Sequence, residues 1–176
     1  MLNNFRYGWE MTNLLKKATI TGIGWSGSGF ESIGSVLEQL VANSKNEILI
    51  GAYYIGSVNE DFFLNQIKRA LERGVRLVML INRYNEQPEY ARRNIDRLRF
   101  AHLNVEIYSV ECPEGEDFHA KLMVVDRNKA IIGSANLSWR GLACNYELGV
   151  YVEGRTADEA ARALERLIAN GIAKKI

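Results

Sequence analysis

Two apolar runs limit what this chain can fold into more than any other feature. Residues 46–55 (NEILIGAYYI) and 75–82 (VRLVMLIN) are almost unbroken stretches of hydrophobic and β-branched side chains. A strand with one wet face alternates polar and apolar residues, so such runs read as strands buried on both faces. Between them, residues 60–73 (EDFFLNQIKRALER) set Phe63, Ile67, Ala70 and Leu71 at helical spacing, and Gly74 stops that helix. A charged helix opens at Pro88 and runs to about residue 101, and residues 104–110 (NVEIYSV) form a third strand. Strands separated by helix-length stretches imply parallel pairing through helical crossovers, the α/β class.

The texture changes after residue 117. Residues 118–125 and 129–135 read as two strands joined by the turn-prone tetrad Asp126-Arg127-Asn128-Lys129. Residues 147–152 (ELGVYV) form a further strand. A last helix starts near Thr156, where Thr156 and Glu159 have capping-box spacing, and it runs to Gly171. The chain divides into an N-terminal extension with a Gly-rich loop (1–30), and a main domain (31–176) that opens with a helix near 31–43. At 176 residues the chain is long enough to bury one sizeable core.

Within the new texture lies FHAKLMVVDRNKAIIGSANLS, which spaces His119-x-Lys121, Asp126 and Gly133-Ser134-x-Asn136 at fixed intervals. On a strand, His119 and Lys121 project from one face. A two-residue turn at Arg127-Asn128 would set Lys121 opposite Ser134 and His119 opposite Asn136, leaving Asp126 at the far end. Directly opposed residues share a face, so an imidazole, an ammonium, a hydroxyl and an amide would converge. A phosphodiester transition state needs a nucleophile, a proton donor for the leaving oxygen and donors for the non-bridging oxygens. These four groups supply that set. No carboxylate cluster accompanies them, so chemistry without a metal or other cofactor fits better than a two-metal site. An isolated H-x-K triplet would mean two solvated side chains. The six-position pattern arises by chance on the order of once in a million chains of this size, given average residue usage.

H-x-K-x4-D-x6-G-S-x-N resembles the HKD signature of the phospholipase D superfamily, and every fixed position is met. The likeness runs from about residue 33 to 170 and is greatest to compact single-motif bacterial nucleases. It implies a phospholipase D-like fold: a mixed, largely parallel β-sheet flanked by helices on both faces, with the motif on an antiparallel hairpin. It also implies that His119 forms a phosphohistidine intermediate, with a second copy's imidazole protonating the leaving oxygen. Lys121 and Asn136 would hold phosphate oxygens, Ser134 would support them, and Glu147 would accept a hydrogen bond from the far imidazole nitrogen. Asp126 completes the motif and is usually structural in the family. One motif where two histidines are needed implies a homodimer with a shared site.

Composition narrows the partners. With 22 basic and 21 acidic residues the net charge is +1, so nucleic-acid affinity must come from a local cluster and not from bulk charge. Trp139-Arg140 follows the motif and is placed to border substrate. Arg83, Arg92, Arg93, Arg97 and Arg99 form the densest basic stretch and read either as a solvated face or as phosphate contacts. Gly22-x-Gly24-x-x-Gly27 matches a dinucleotide fingerprint only formally. An entry loop or substrate-facing flap is the better reading, in which Trp25 and Phe30 pack or stack on bases. Cys112 and Cys144 read as reduced thiols. No apolar run reaches the roughly 18 residues of a membrane span, and the N-terminus lacks an apolar leader core. A cytoplasmic nuclease for DNA or RNA, without membrane insertion, is expected. A lipid or other phosphodiester hydrolase, or a nucleic-acid-binding subunit, is the alternative. The sequence is also compatible with a larger complex that delivers substrate.

Overall fold

A computed structural model of the chain describes residues 16–25, 29–56 and 63–176. In chain order the elements are β1 (Lys16–Thr21), β2 (Glu31–Ser32), α1 (Ile33–Ala42), β3 (Glu47–Ala52), α2 (Phe63–Glu72), β4 (Arg76–Asn82), α3 (Glu89–Ala101) and β5 (Val105–Val110). There follow β6 (Lys121–Val125), β7 (Lys129–Gly133), β8 (Glu147–Glu153), α4 (Arg155–Ala169) and β9 (Ala173–Lys175). All nine strands join one sheet in the order β2-β1-β8-β7-β6-β3-β4-β5-β9.

The unbroken apolar runs do what their composition requires. In β3 and β4 one face carries Ile48, Ile50, Leu77, Met79 and Ile81, which pack with α1, α2 and α3. The opposite face carries Leu49, Val78 and Leu80, which pack with Ala157, Ala161 and Leu164 of α4. Burial on both sides favours apolar residues through the middle of both strands, where each such side chain contributes about 1.5–3 kcal/mol. Strands β3, β4 and β5 are parallel, as the crossovers predict, and β1–β2 is a second parallel pair. The other five pairings are antiparallel, so the parallel part is the smaller one. The difference arises because β1, the last four strands and their short connections add antiparallel pairings at both ends of the parallel core. Lys16–Thr21, from the stretch assigned to the extension, pairs with β8 along its whole length.

Helix ends follow local chemistry with one correction. Ser32 caps α1, its hydroxyl accepting from the Ser35 N–H at 3.1 Å. The capping box at Thr156 does not form. Gly154 is the cap of α4, and Thr156 lies inside its first turn. Glu159 pairs instead with Arg155 one turn earlier, at 2.8 Å. Within the basic stretch, Arg83, Arg93 and Arg99 each pair with a carboxylate and Arg92 donates to the Gln87 carbonyl.

Candidate active site

Strand polarity gathers the polar residues at one end of the sheet. β3 and β4 run toward that end and finish at Ala52 and Asn82. β6 starts there with Lys121, paired to Ala52. β7 finishes at Gly133 and β8 begins at Glu147. Ligand sites in open α/β sheets form at the carboxyl ends of parallel strands, and this patch sits there.

His119 lies just ahead of β6 and not on it, because the incoming chain is held by other contacts. The Phe118 N–H donates to Oδ1 of buried Asn82 at 2.9 Å, and the Phe118 ring is itself buried. Lys121 then folds back over His119. Its Nζ is 3.0 Å from Nε2, 3.2 Å from Nδ1 and 3.2 Å from the His119 carbonyl oxygen. The ammonium donates, so a ring nitrogen with a free lone pair accepts. Tyr53, just after β3, buttresses both. Its ring meets the imidazole edge-on at 4.3 Å between centroids, and Lys121 Nζ stands 4.9 Å from its centre. Partial burial lowers the Lys121 pKa from its ordinary value, and the negative charge of Glu147 acts in the opposite direction.

The hairpin register is shifted by one residue from the expected one. Leu122 pairs with Ile132 and Val125 with Lys129, which continues to Lys121 opposite Gly133, not Ser134. The cause is a three-residue loop in which Asp126 and Arg127 both adopt left-handed conformations, φ 51° and 52°. Asp126 accepts from the backbone N–H groups of Lys45, Asn46 and Glu47 at 2.9, 2.7 and 3.0 Å. Asp126 is thus at the opposite end of the sheet from His119, and as a member of the catalytic set it is corrected to a structural residue.

Ser134 is positioned by β8. It exchanges backbone and side-chain bonds with Leu148, and its hydroxyl donates to Glu147. The single Ser134 O–H is thereby committed to a carboxylate. Gly133 makes this closeness feasible, since a Cβ there would lie 2.7 Å from the Leu148 carbonyl oxygen. The other Glu147 oxygen accepts from Asn145 at 3.2 Å. Both carboxylate oxygens therefore have partners on their own chain, and neither partner is His119. Asn136 follows β7, and its Oδ1 is buried without a hydrogen-bond partner among the described residues. Trp139 and Arg140 are exposed on the turn that follows.

Sequence reasoning missed three supporting residues. Tyr53 was absorbed into an apolar strand. Asn82 and Gln87 form a buried polar brace: Gln87 Nε2 donates to the Tyr53 and Asn82 carbonyls at 3.0 and 2.7 Å, and its Oε1 accepts from the Ile55 N–H. The available signal was an amide ending an otherwise apolar strand, since a buried polar side chain there requires a partner. Among the described residues no three His, Cys, Asp or Glu side chains cluster as a metal site would require.

Residues 37–169 match the family described as "Cardiolipin synthase, PLD-like domain", and the chain belongs to this phospholipase D-like family. It is 28% identical over 145 residues to the DISARM protein DrmC of Bacillus paralicheniformis, covering 81% of this chain and 58% of that one. It is 26% identical over 120 residues to the virion nicking-joining enzyme of vaccinia virus, covering 65% of this chain and 27% of that one. The chain thus spans between about a quarter and three fifths of the length of these relatives. Its fold is that of NucT from Helicobacter pylori, with a TM-score of 0.72 and 14% identity, covering 92% of this chain and all of that one. No described helix is long and apolar enough to cross a membrane.

Proposed function

We propose that the chain is a phosphodiesterase that cleaves nucleic acid through His119 without a metal ion. The observation that carries this reading is the exposed imidazole of His119 held against the Lys121 ammonium, at the carboxyl end of the parallel strands. In the reaction, an imidazole nitrogen of His119 attacks phosphorus and forms a P–N bond as the P–O bond to the leaving group breaks. The departing oxygen takes a proton from His119 of the partner subunit. Water then attacks the phosphohistidine, restores the imidazole and releases the second product. Both steps are acid–base and nucleophilic chemistry within reach of histidine near neutral pH.

Lys121 neutralises the phosphate oxygens as negative charge builds on them. Asn136 follows β7 at this end of the sheet, and its side-chain NH2 group is the part that can donate to a phosphate oxygen. Ser134, whose proton is held by Glu147, fixes the wall of the site, and Glu147 sustains the Lys121 ammonium. Trp139 and Arg140 border the entry for substrate. Nucleic acid is favoured over lipid because one relative is by its name a nicking-joining enzyme.

The test is to incubate the protein in EDTA with single-stranded DNA, duplex DNA, RNA and phosphatidylcholine, beside a His119→Ala variant. Cleavage of a nucleic acid that survives chelation and disappears in the variant is expected. Strict dependence on magnesium, or hydrolysis of the lipid alone, would overturn the reading.

A further inference from the structure

A second feature adjoins the site on the β1 side. Thr21, the last residue of β1, pairs with Glu147 in the sheet. Beyond it the chain turns through Gly22 and a short 3-10 turn, Ile23–Trp25. Gly22 has φ 125°, and a Cβ there would stand 2.9 Å from the Tyr146 ring. The turn is therefore pressed onto Tyr146, the neighbour of Glu147. Trp25 meets Tyr146 edge-on, with centroids 5.4 Å apart.

This packing leaves a groove of about 530 Å³ lined by Ile20, Thr21, Ile23, Trp25, Phe30 and Leu142, among others. Leu142 also lines the small cavity that Lys121 and Gly133 border, so groove and cavity share a wall. Phe30 is 56% exposed and Trp25 38% exposed, so both present ring surface at the groove. In the same wall, Thr21 is 4% exposed and its hydroxyl has no hydrogen-bond partner among the described residues.

We infer that this groove is a nucleobase subsite, in which a base flanking the scissile phosphate stacks on Trp25 and Phe30; the inference rests on the nuclease reading above. The chemistry selects the ligand. Every base has a π-face, and base–aromatic stacking is worth about 1–3 kcal/mol per base. Two aromatic rings suit the flat π-face of a base, which an acyl chain lacks. A base within a duplex is paired and stacked, and must be unstacked to reach such a groove. The subsite therefore selects single-stranded or unpaired nucleic acid.

The experiment compares kcat/KM for two single-stranded oligonucleotides of equal length, one natural and one built wholly of abasic residues. The wild-type protein is expected to cleave the natural strand about tenfold better, the fold-change that about 1.4 kcal/mol of stacking gives. That ratio falls toward unity in Trp25→Ala and in Phe30→Ala, the second of which leaves the Trp25–Tyr146 contact in place. A wild-type ratio near unity, or a ratio retained in both variants, would overturn the subsite while leaving the nuclease reading intact. Failure of the wild type to cleave either strand would remove the nuclease reading itself. Hydrolysis of phosphatidylcholine vesicles that drops in the same two variants would make the groove an acyl-chain site and overturn the inference.

Discussion

At the scale of single residues, Lys121 stands between two opposed influences. Burial disfavours its charged form, and the Glu147 carboxylate favours it. If the ammonium is what holds phosphate, activity is lost as pH rises through the Lys121 pKa. Glu147→Gln removes the influence that raises that pKa, so the Lys121 pKa falls further. The alkaline limb of the pH profile for kcat/KM is then expected to move to lower pH. An unmoved limb would mean that Glu147 acts only through Ser134. The candidates His119, Lys121, Ser134 and Asn136 stand out in the sequence by their specific spacing, and Glu147 by the resemblance to the family. Their contacts do not. That Ser134 gives its proton to Glu147, and that Tyr53 sits against His119, depend on how β8 and the end of β3 meet β6 and β7, and no local pattern encodes that.

Elements show the same division between what is local and what is not. The helices after β3 and β4 and the buried strands between them were readable because burial on both faces leaves a compositional mark. The β6–β7 hairpin was misread by one residue because its loop is decided by a distant contact. Asp126 takes three backbone N–H groups that precede β3, and this holds the loop in a left-handed shape that the tetrad alone does not require. Asp126→Ala strands those three donors and leaves alanine at positive φ, a loss of stability on the order of 3 kcal/mol. Equilibrium urea unfolding is expected to show that loss, while kcat of the folded variant stays within about twofold of wild type. A large fall in kcat with unchanged stability would return Asp126 to the chemistry. Thr156 failed as a cap for a related reason: Gly154 takes φ 68° at the exit of β8 and starts α4 two residues earlier.

For the whole molecule, one chain presents one His119, and both Glu147 oxygens are already bonded within that chain. A reaction that needs one imidazole to attack and another to donate a proton must draw the second from elsewhere. His102 does not serve, since it lies between α3 and the start of β5, at the opposite end of the parallel strands from His119. Two copies facing each other across a two-fold axis satisfy the need. Specific activity is therefore expected to fall on dilution in parallel with dissociation seen by analytical ultracentrifugation. A fully active monomer would contradict the shared site. The central claim is that His119 becomes covalently phosphorylated, and it can be read directly. A reaction with single-stranded DNA, quenched in alkali within the first turnovers and digested, is examined by mass spectrometry for the peptide carrying residue 119. The account predicts a phosphate-linked nucleotide fragment on His119, lost in the His119→Ala variant. Efficient cleavage with no adduct on His119, or an adduct on another side chain, would contradict it.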